Sequence, residues 1–331
     1  MLMFILFISI LSVISEGTPN KKPKIIIDND AGGDDAMAIF LALLYEKHFD
    51  GPQLIGLTTG NGNTCEDNVY INNQKILKVA NRQDVPLYRG AKSSLVITPD
   101  AGAYFGIDGL GDNDDVYTDL APAKDTTAVQ ALLHLSKAHE DLTVITIGAL
   151  TNVALAIKLD PEFLDRLTHL YVAAGHIHEG QDYEAEFNAL MDVESYRIVA
   201  HNSRPDKVTF LPFSQVIEHL NISMEWRTDV LGAIDTEIMK AQNKFERVSL
   251  AKNHRWQCLD PAAIAVVLKQ DLVNEYKYSK HDIAQCGPER GVVSNNFMDK
   301  NGCNARVIHS IKIEEYNKFL LDVFTAETQG N

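Results

Sequence analysis

The sequence predicts an α/β fold: a single domain with a mostly parallel, Rossmann-like open sheet flanked by helices. Short apolar, strand-like runs alternate with helix-like segments along most of the chain, the pattern of a parallel sheet covered on both faces. The runs are followed by polar Gly/Asn punctuation, which parallel strands gather along one edge. No repeat, low-complexity tract or Pro/Ser-rich linker interrupts the pattern, and 331 residues with 45% hydrophobic content suffice for a large core.

The elements follow in order. Ile25-Ile26-Ile27 is a β-branched run, Gly32-Gly33 breaks it, and Ala36 to Leu44 resumes as a helix. Gln53 to Thr59 reads as a strand and Asp67 to Ala80 as a helix. Thr126 to Ala138 is helical, Leu142 to Ile147 a strand, and Thr151 to Lys158 a helix. His169 to Ala173 and Val208 to Leu211 are short strands; Asp192 to His201 and Pro261 to Lys269 are helices. Arg306 to Ile313 and Glu314 to Phe324 close the chain as strand and helix.

The strongest chemical signal lies in the first turn. Asp28, Asp30, Asp34 and Asp35 fall within eight residues, directly beyond the first strand. Like charges about 4 Å apart repel by ~4 kcal/mol at an effective dielectric near 20. Asp34 and Asp35 also suit a helix N-terminus, but that role leaves Asp28 and Asp30 unexplained. A hard divalent cation, Ca²⁺ or Mg²⁺, is the simplest compensation.

Composition narrows the partners. A net charge of -15 without a Lys/Arg-rich block argues against nucleic acid or an anionic membrane and for a small polar molecule. Met1 to Ser15 is apolar and uncharged, too short to span a bilayer comfortably, and precedes a polar stretch. It reads as a signal peptide over residues 1–17, which leaves a secreted domain of 18–331 with no membrane attachment after its removal. Cys286 and Cys303 flank a Gly/Asn-rich segment and could pair, although four cysteines allow three full pairings. Asn221-Ile222-Ser223 is a glycosylation sequon, meaningful in an exported chain.

Beyond these features, Asp28-x-Asp30-Ala31-Gly32-x-Asp34-Asp35 resembles the Asp-x-Asp-Pro-Gly-x-Asp-Asp signature of the nucleoside hydrolases (inosine-uridine preferring nucleosidases), with Ala31 where Pro is usual. The likeness continues through Thr59-Gly60-Asn61, Gly109-Leu110-Gly111, Gly148 to Asn152, Ala185-Glu186-Phe187-Asn188 and Leu259-Asp260-Pro261. It implies a sheet of the nucleoside hydrolase type and hydrolysis of a ribonucleoside to ribose and free base, with one Ca²⁺ and a homodimeric or homotetrameric assembly. By this resemblance Asp30, Asp35, Asp260 and the carbonyl of Ile147 hold the ion. Asp30 serves as general base on the activated water. Asp34 accepts from the 2′-hydroxyl, Asn61 and Asn188 bind ring hydroxyls, and Glu186 holds the 5′-hydroxyl. These oxygens would also stabilise an oxocarbenium-like transition state.

Departures from the family pattern concern the leaving base. Leu259 stands where a proton-donating His is frequent, and Gln181, or Asp182 with a gap, replaces an Asn. Phe105 occupies a frequent His position and could stack on a purine, as could Tyr104, Trp226 or Trp256; His176 and His178 are further acid candidates. Together Leu259 and Phe105 point to purine preference over a pyrimidine or non-specific nucleosidase. Two rivals from other classes are an Asp-x-Asp phosphatase using Asp28 as nucleophile, and a secreted nucleoside-binding protein with a degenerate site.

Overall fold

The computed structural model describes residues 22–178 and 184–329. The expected signal peptide therefore lies outside the described residues, as do Gln181 and Asp182. Eleven strands are described: β1 (Lys24–Asn29), β2 (Gln53–Thr59), β3 (Leu87–Tyr88), β4 (Leu142–Thr146), β5 (His169–Ala173), β6 (Val208–Leu211), β7 (Ile222–Ser223), β8 (Arg255–Trp256), β9 (Val273–Ile283), β10 (Val293–Phe297) and β11 (Ala305–Ile311). Nine of them form one sheet in the order β10-β9-β11-β6-β5-β4-β1-β2-β3, while β7 and β8 pair separately. From β3 to β11 every neighbour is parallel; β9 and β10 extend the sheet antiparallel.

Successive side chains of β1 serve opposite faces, as the pleat requires. Ile25 and Ile27 pack with the helices Gly33–His48, Leu259–Leu268 and Ile313–Ala326. Ile26 packs with Thr151–Leu159 and Val193–Asn202 on the other side. The strand is buried along almost its whole length, which explains its unbroken β-branched character.

The order of strands positions the site. From β1 the chain moves outward through β2 and β3, then crosses back to place β4 on β1's other flank. The topology therefore switches between β1 and β4, where an open α/β sheet leaves a crevice beyond its carboxyl ends. Asp28 seals the base of that crevice. Its Oδ1 accepts from Thr58 Oγ1 at 2.5 Å and Asn152 Nδ2 at 2.8 Å, and its Oδ2 from Thr146 Oγ1 at 3.4 Å. These bonds tie β1, β2, β4 and the helix Thr151–Leu159 together. Asp28 is thus a buried structural acceptor, and the phosphatase reading that needs it as a nucleophile is not supported.

Two sequence expectations are corrected here. The hairpin of β9 and β10 occupies a stretch with no expected element, because β9 alternates polar and half-buried side chains rather than showing an apolar run. That hairpin also separates the cysteines. Asn304, next to Cys303, caps the backbone of His281, whereas Cys286 lies five residues further along, roughly 16 Å of extended chain. A disulfide needs Cα atoms within ~7 Å, and all four cysteines are free.

A second layer of polar contacts braces the first turn from behind. Gln242 Nε2 donates to Gly33 O at 2.7 Å. Glu246, fully buried, accepts from Arg227 Nε at 2.9 Å and from Trp256 Nε1 at 2.7 Å, and Arg227 Nη1 reaches Asn243 at 2.8 Å. Trp256 is therefore committed to the core. Removing one member of a buried ion pair leaves an uncompensated charge, at a cost of about 3–5 kcal/mol. Glu246→Ala should lower stability by that amount in chemical denaturation, whereas the Glu246→Leu/Arg227→Met double variant should recover most of the loss.

Candidate active site

The loops beyond β1, β2, β4 and β5 meet at the switch point. Asp30 lies between the second and third of these loops, 1% exposed. Its Oδ2 accepts from the Asn63 backbone at 2.8 Å and its Oδ1 from Asn63 Nδ2 at 3.2 Å. A Cβ at Gly62 would overlap the Asp30 carboxylate, so only glycine lets the β2 loop approach so closely. Asp35 turns back on its own loop, accepting from Asp30 N at 3.1 Å and Gly32 N at 2.7 Å, and also from Asn63 Nδ2 at 3.0 Å. Ala31, between them, has φ +28°. Proline cannot adopt that angle, which accounts for Ala in place of the usual residue.

Asp260 arrives from the other end of the chain, in the first turn of Leu259–Leu268. Carboxylate oxygens of Asp34, Asp35 and Asp260 lie within 4.8 Å of one another. Asp30 is outside that triplet but close enough to influence all three electrostatically. Among the described residues no Lys, Arg or His forms an ion pair with these four. Burial, followed by the charge on Asp30, pushes Asp34 up to about 8. Burial likewise raises Asp30 to about 6 and pushes Asp35 and Asp260 well above the usual carboxylate range. The charge on Asp35 adds to the effect of burial on Asp260. Crowded hard oxygens without a counter-charge fit a divalent cation.

A cavity of about 340 Å³ opens above this floor. Asp34, Ile147, Glu186, Asn188, Phe105 and Asp260 all line it, as does Leu259. Glu186 caps the helix Phe187–Met191 and accepts three backbone amides, from Gly175, Asn188 and Ala189, at 2.8–3.0 Å. Burial nevertheless raises it to about 7. Asn188 Nδ2 donates to the carbonyls of Ala173 at 3.0 Å and Ile147 at 3.2 Å, holding the Ile147 carbonyl in place. Phe105 lies over the glycine turn, where a Cβ on Gly33 would come within 2.7 Å of its ring.

Other expected residues lie elsewhere. Asn61 does not line the cavity; Asn63 does. The stretch Gly60-Asn61-Gly62-Asn63 carries the same pair twice, and only the fold reveals which copy faces inward. Trp226 and Trp256 lie outside the cavity lining, with Trp256 only 3% exposed. His176 and His178 are also outside it, and burial lowers His176 to about 4, so its imidazole is neutral rather than a ready acid. Asn253, Arg255 and Gln257 line the mouth, though nothing in the sequence reading singled them out. Their signal is a period-2 alternation with Trp256, which places every second side chain towards the cavity. Phe213 and Ile217 complete the apolar wall.

Comparison with known proteins agrees with this geometry. Residues 25–318 match the family profile described as inosine-uridine preferring nucleoside hydrolase. The inosine-uridine preferring nucleoside hydrolase of Crithidia fasciculata is 34% identical over 192 residues, covering 54% of this chain and 57% of that protein. The Leishmania major protein of the same name is also covered to 57% of its length, so the match spans little more than half of these relatives. The pyrimidine-specific ribonucleoside hydrolase RihA of Shewanella oneidensis is 32% identical over 263 residues, covering 75% of this chain and 78% of that protein. Among solved structures, an inosine-guanosine nucleoside hydrolase superposes with TM-score 0.82 at 24% identity, covering 91% of this chain and 98% of that one. That likeness shows the fold. The family is generally metal-dependent, in keeping with the carboxylate cluster. By its sequence match over most of its length, the chain belongs to the inosine-uridine preferring nucleoside hydrolase family.

Proposed function

We propose that the protein hydrolyses the N-glycosidic bond of ribonucleosides, purine ribonucleosides by preference, releasing ribose and free base. One observation carries this reading: a single cavity is lined by two chemically different sets of side chains. Asp34, Glu186, Asn188 and Asp260 bring acidic and amide groups, and Tyr104, Phe105, Phe213 and Leu259 bring aromatic and apolar surface. A ribose needs the first and a base the second.

On this reading Asp30, Asp35, Asp260 and the Ile147 carbonyl would hold Ca²⁺, with Asp34 beside them. Bound there, the ion supplies the Lewis acidity that lowers the pKa of an attacking water. Asp30, oriented by two bonds from Asn63, accepts the water's proton. Asp34 accepts from the 2′-hydroxyl. Asn63 takes the sugar-binding role expected of Asn61, Asn188 binds a second ring hydroxyl, and Glu186 holds the 5′-hydroxyl. As the bond to the base lengthens, positive charge grows on the ring, and these fixed oxygens stabilise it without reorganising.

Purine preference rests on Phe105 in the cavity and on Leu259 beside Asp260. With an apolar side chain where the family often has an acid, no proton comes to the base from position 259, and more of the departing charge falls on the base itself. A purine stacked on an aromatic face does so better than a smaller pyrimidine, although stacking is worth only about 0.5–1.5 kcal/mol beyond burial. We also propose that the apolar N-terminus directs export and is then removed.

Three measurements test these proposals. Chelation should abolish turnover and Ca²⁺ restore it; Asp30→Asn should lower kcat by about 10²–10⁴, with metal content measured in parallel. Undiminished activity in a calcium-free sample would refute the metal role. Inosine should show a higher kcat/KM than uridine, and Phe105→Ala should narrow the gap; equal values for the wild type would refute the preference. Mass spectrometry of protein secreted by a eukaryotic host should find a new terminus between Glu16 and Lys21, and intact Met1 in the medium would contradict export.

A further inference from the structure

The mouth of the cavity holds a hydroxyl whose proton is directed by its neighbour. Asn253 Nδ2 donates to the Ser249 carbonyl at 2.7 Å and to Tyr104 Oη at 2.8 Å. A carbonyl only accepts, so the amide orientation of Asn253 is decided by Ser249 rather than interchangeable. The amide nitrogen has donor hydrogens alone, so Tyr104 Oη is the acceptor in their contact. Its own O–H must therefore point elsewhere, and no acceptor for it exists among the described residues.

Tyr104 lines the same cavity as Leu259 and Phe105. Its ring meets Phe105 edge-on, with centroids 4.7 Å apart and planes at 88°, which fixes the direction of the phenol. Burial, together with nearby acidic groups, raises its pKa above the ordinary tyrosine value, so the group keeps its proton throughout the neutral range. It is a permanent donor in a wall that has lost the family's frequent His.

We propose that Tyr104 Oη–H is the hydrogen-bond donor to the departing base, at an acceptor ring nitrogen such as purine N7, and that Asn253 is the positioning residue that turns it inward. This rests on the ribonucleoside reading given above. The bond from C1′ to the base nitrogen breaks with its electron pair going to the base. The water oxygen bonds C1′, and the water's proton passes to Asp30. Tyr104 keeps its proton and shares it. The released base takes one from solvent, and Asp30 returns one to solvent, so the reaction consumes only water. Because negative charge grows on the base as the bond breaks, the hydrogen bond strengthens towards the transition state and contributes to kcat.

The test compares inosine with 4-nitrophenyl β-ribofuranoside, whose phenolate departs without help from a donor. In the calcium-loaded full-length mature protein, Tyr104→Phe should lower the inosine-to-nitrophenyl ratio of kcat by about 10²-fold. Tyr104 is 47% exposed, so loss of its hydroxyl should leave the fold intact. Asn253→Ala should move the ratio the same way by a smaller factor; an unchanged ratio there overturns the positioning role. An active enzyme whose ratio is unmoved by Tyr104→Phe overturns the donor role alone. Wild-type protein inert towards both ribosides overturns the nucleosidase reading and the donor role with it.

Discussion

Mutual repulsion among Asp30, Asp34, Asp35 and Asp260 is the constraint around which the cleft is organised. Left free, four carboxylates would separate into water; here three keep oxygens within 4.8 Å of one another with Asp30 at their side. Each must be held from outside the cluster. Asn63 pins Asp30 and Asp35 together, the glycine turn folds Asp35 back on its own backbone, and the helix Leu259–Leu268 packs against Gly33–His48 to deliver Asp260. Behind them, the buried Arg227–Glu246 pair and Gln242 stiffen the turn. The surrounding fold thus supplies the work of compression.

The acidic and the apolar linings of the cavity draw on different elements of the fold. Its acidic floor comes largely from strand ends and helix first turns, the most rigid parts of an α/β domain. Its aromatic and amide lining is mixed: Phe213, Ile217 and Leu259 lie on helices, whereas Tyr104 and Phe105 lie between β3 and β4, and Asn253, Arg255 and Gln257 lie on or beside β8. Loops tolerate substitution more readily than packed elements.

Much of the parallel sheet was legible in the residues. β2, β5 and β6 fall where their apolar runs begin and end, and the buried strand β1 announces itself by three isoleucines. The β9–β10 hairpin was not, since an edge-region hairpin with solvated positions carries little apolar periodicity. Within the site, the acidic turn was readable because its charge density has no ordinary structural explanation. The choice between Asn61 and Asn63 was not, because a repeated Gly-Asn pair leaves the register of a loop undetermined. Tyr104 and Asn253 lie 149 residues apart, and their meeting is a property of the fold rather than of any local pattern. Asp28 shows the opposite hazard: it sits inside the most suggestive motif of the chain, yet its oxygens are spoken for by Thr58, Thr146 and Asn152.

Ala31 sets a backbone condition on this turn that proline cannot meet. Its φ of +28° is nearly a right angle away from the value of about −65° that a proline ring imposes. Its N–H is bonded to Asn29 Oδ1 and its carbonyl to Asn72 Nδ2, and a proline has no N–H to offer. Ala31→Pro alone would therefore demand a different backbone path at position 31. The bond from Asn72 to the carbonyl would survive in proline, whereas the N–H bond to Asn29 would be lost. Two features of one residue, its backbone angle and its N–H, thus set the departure from the motif beside the acidic cluster.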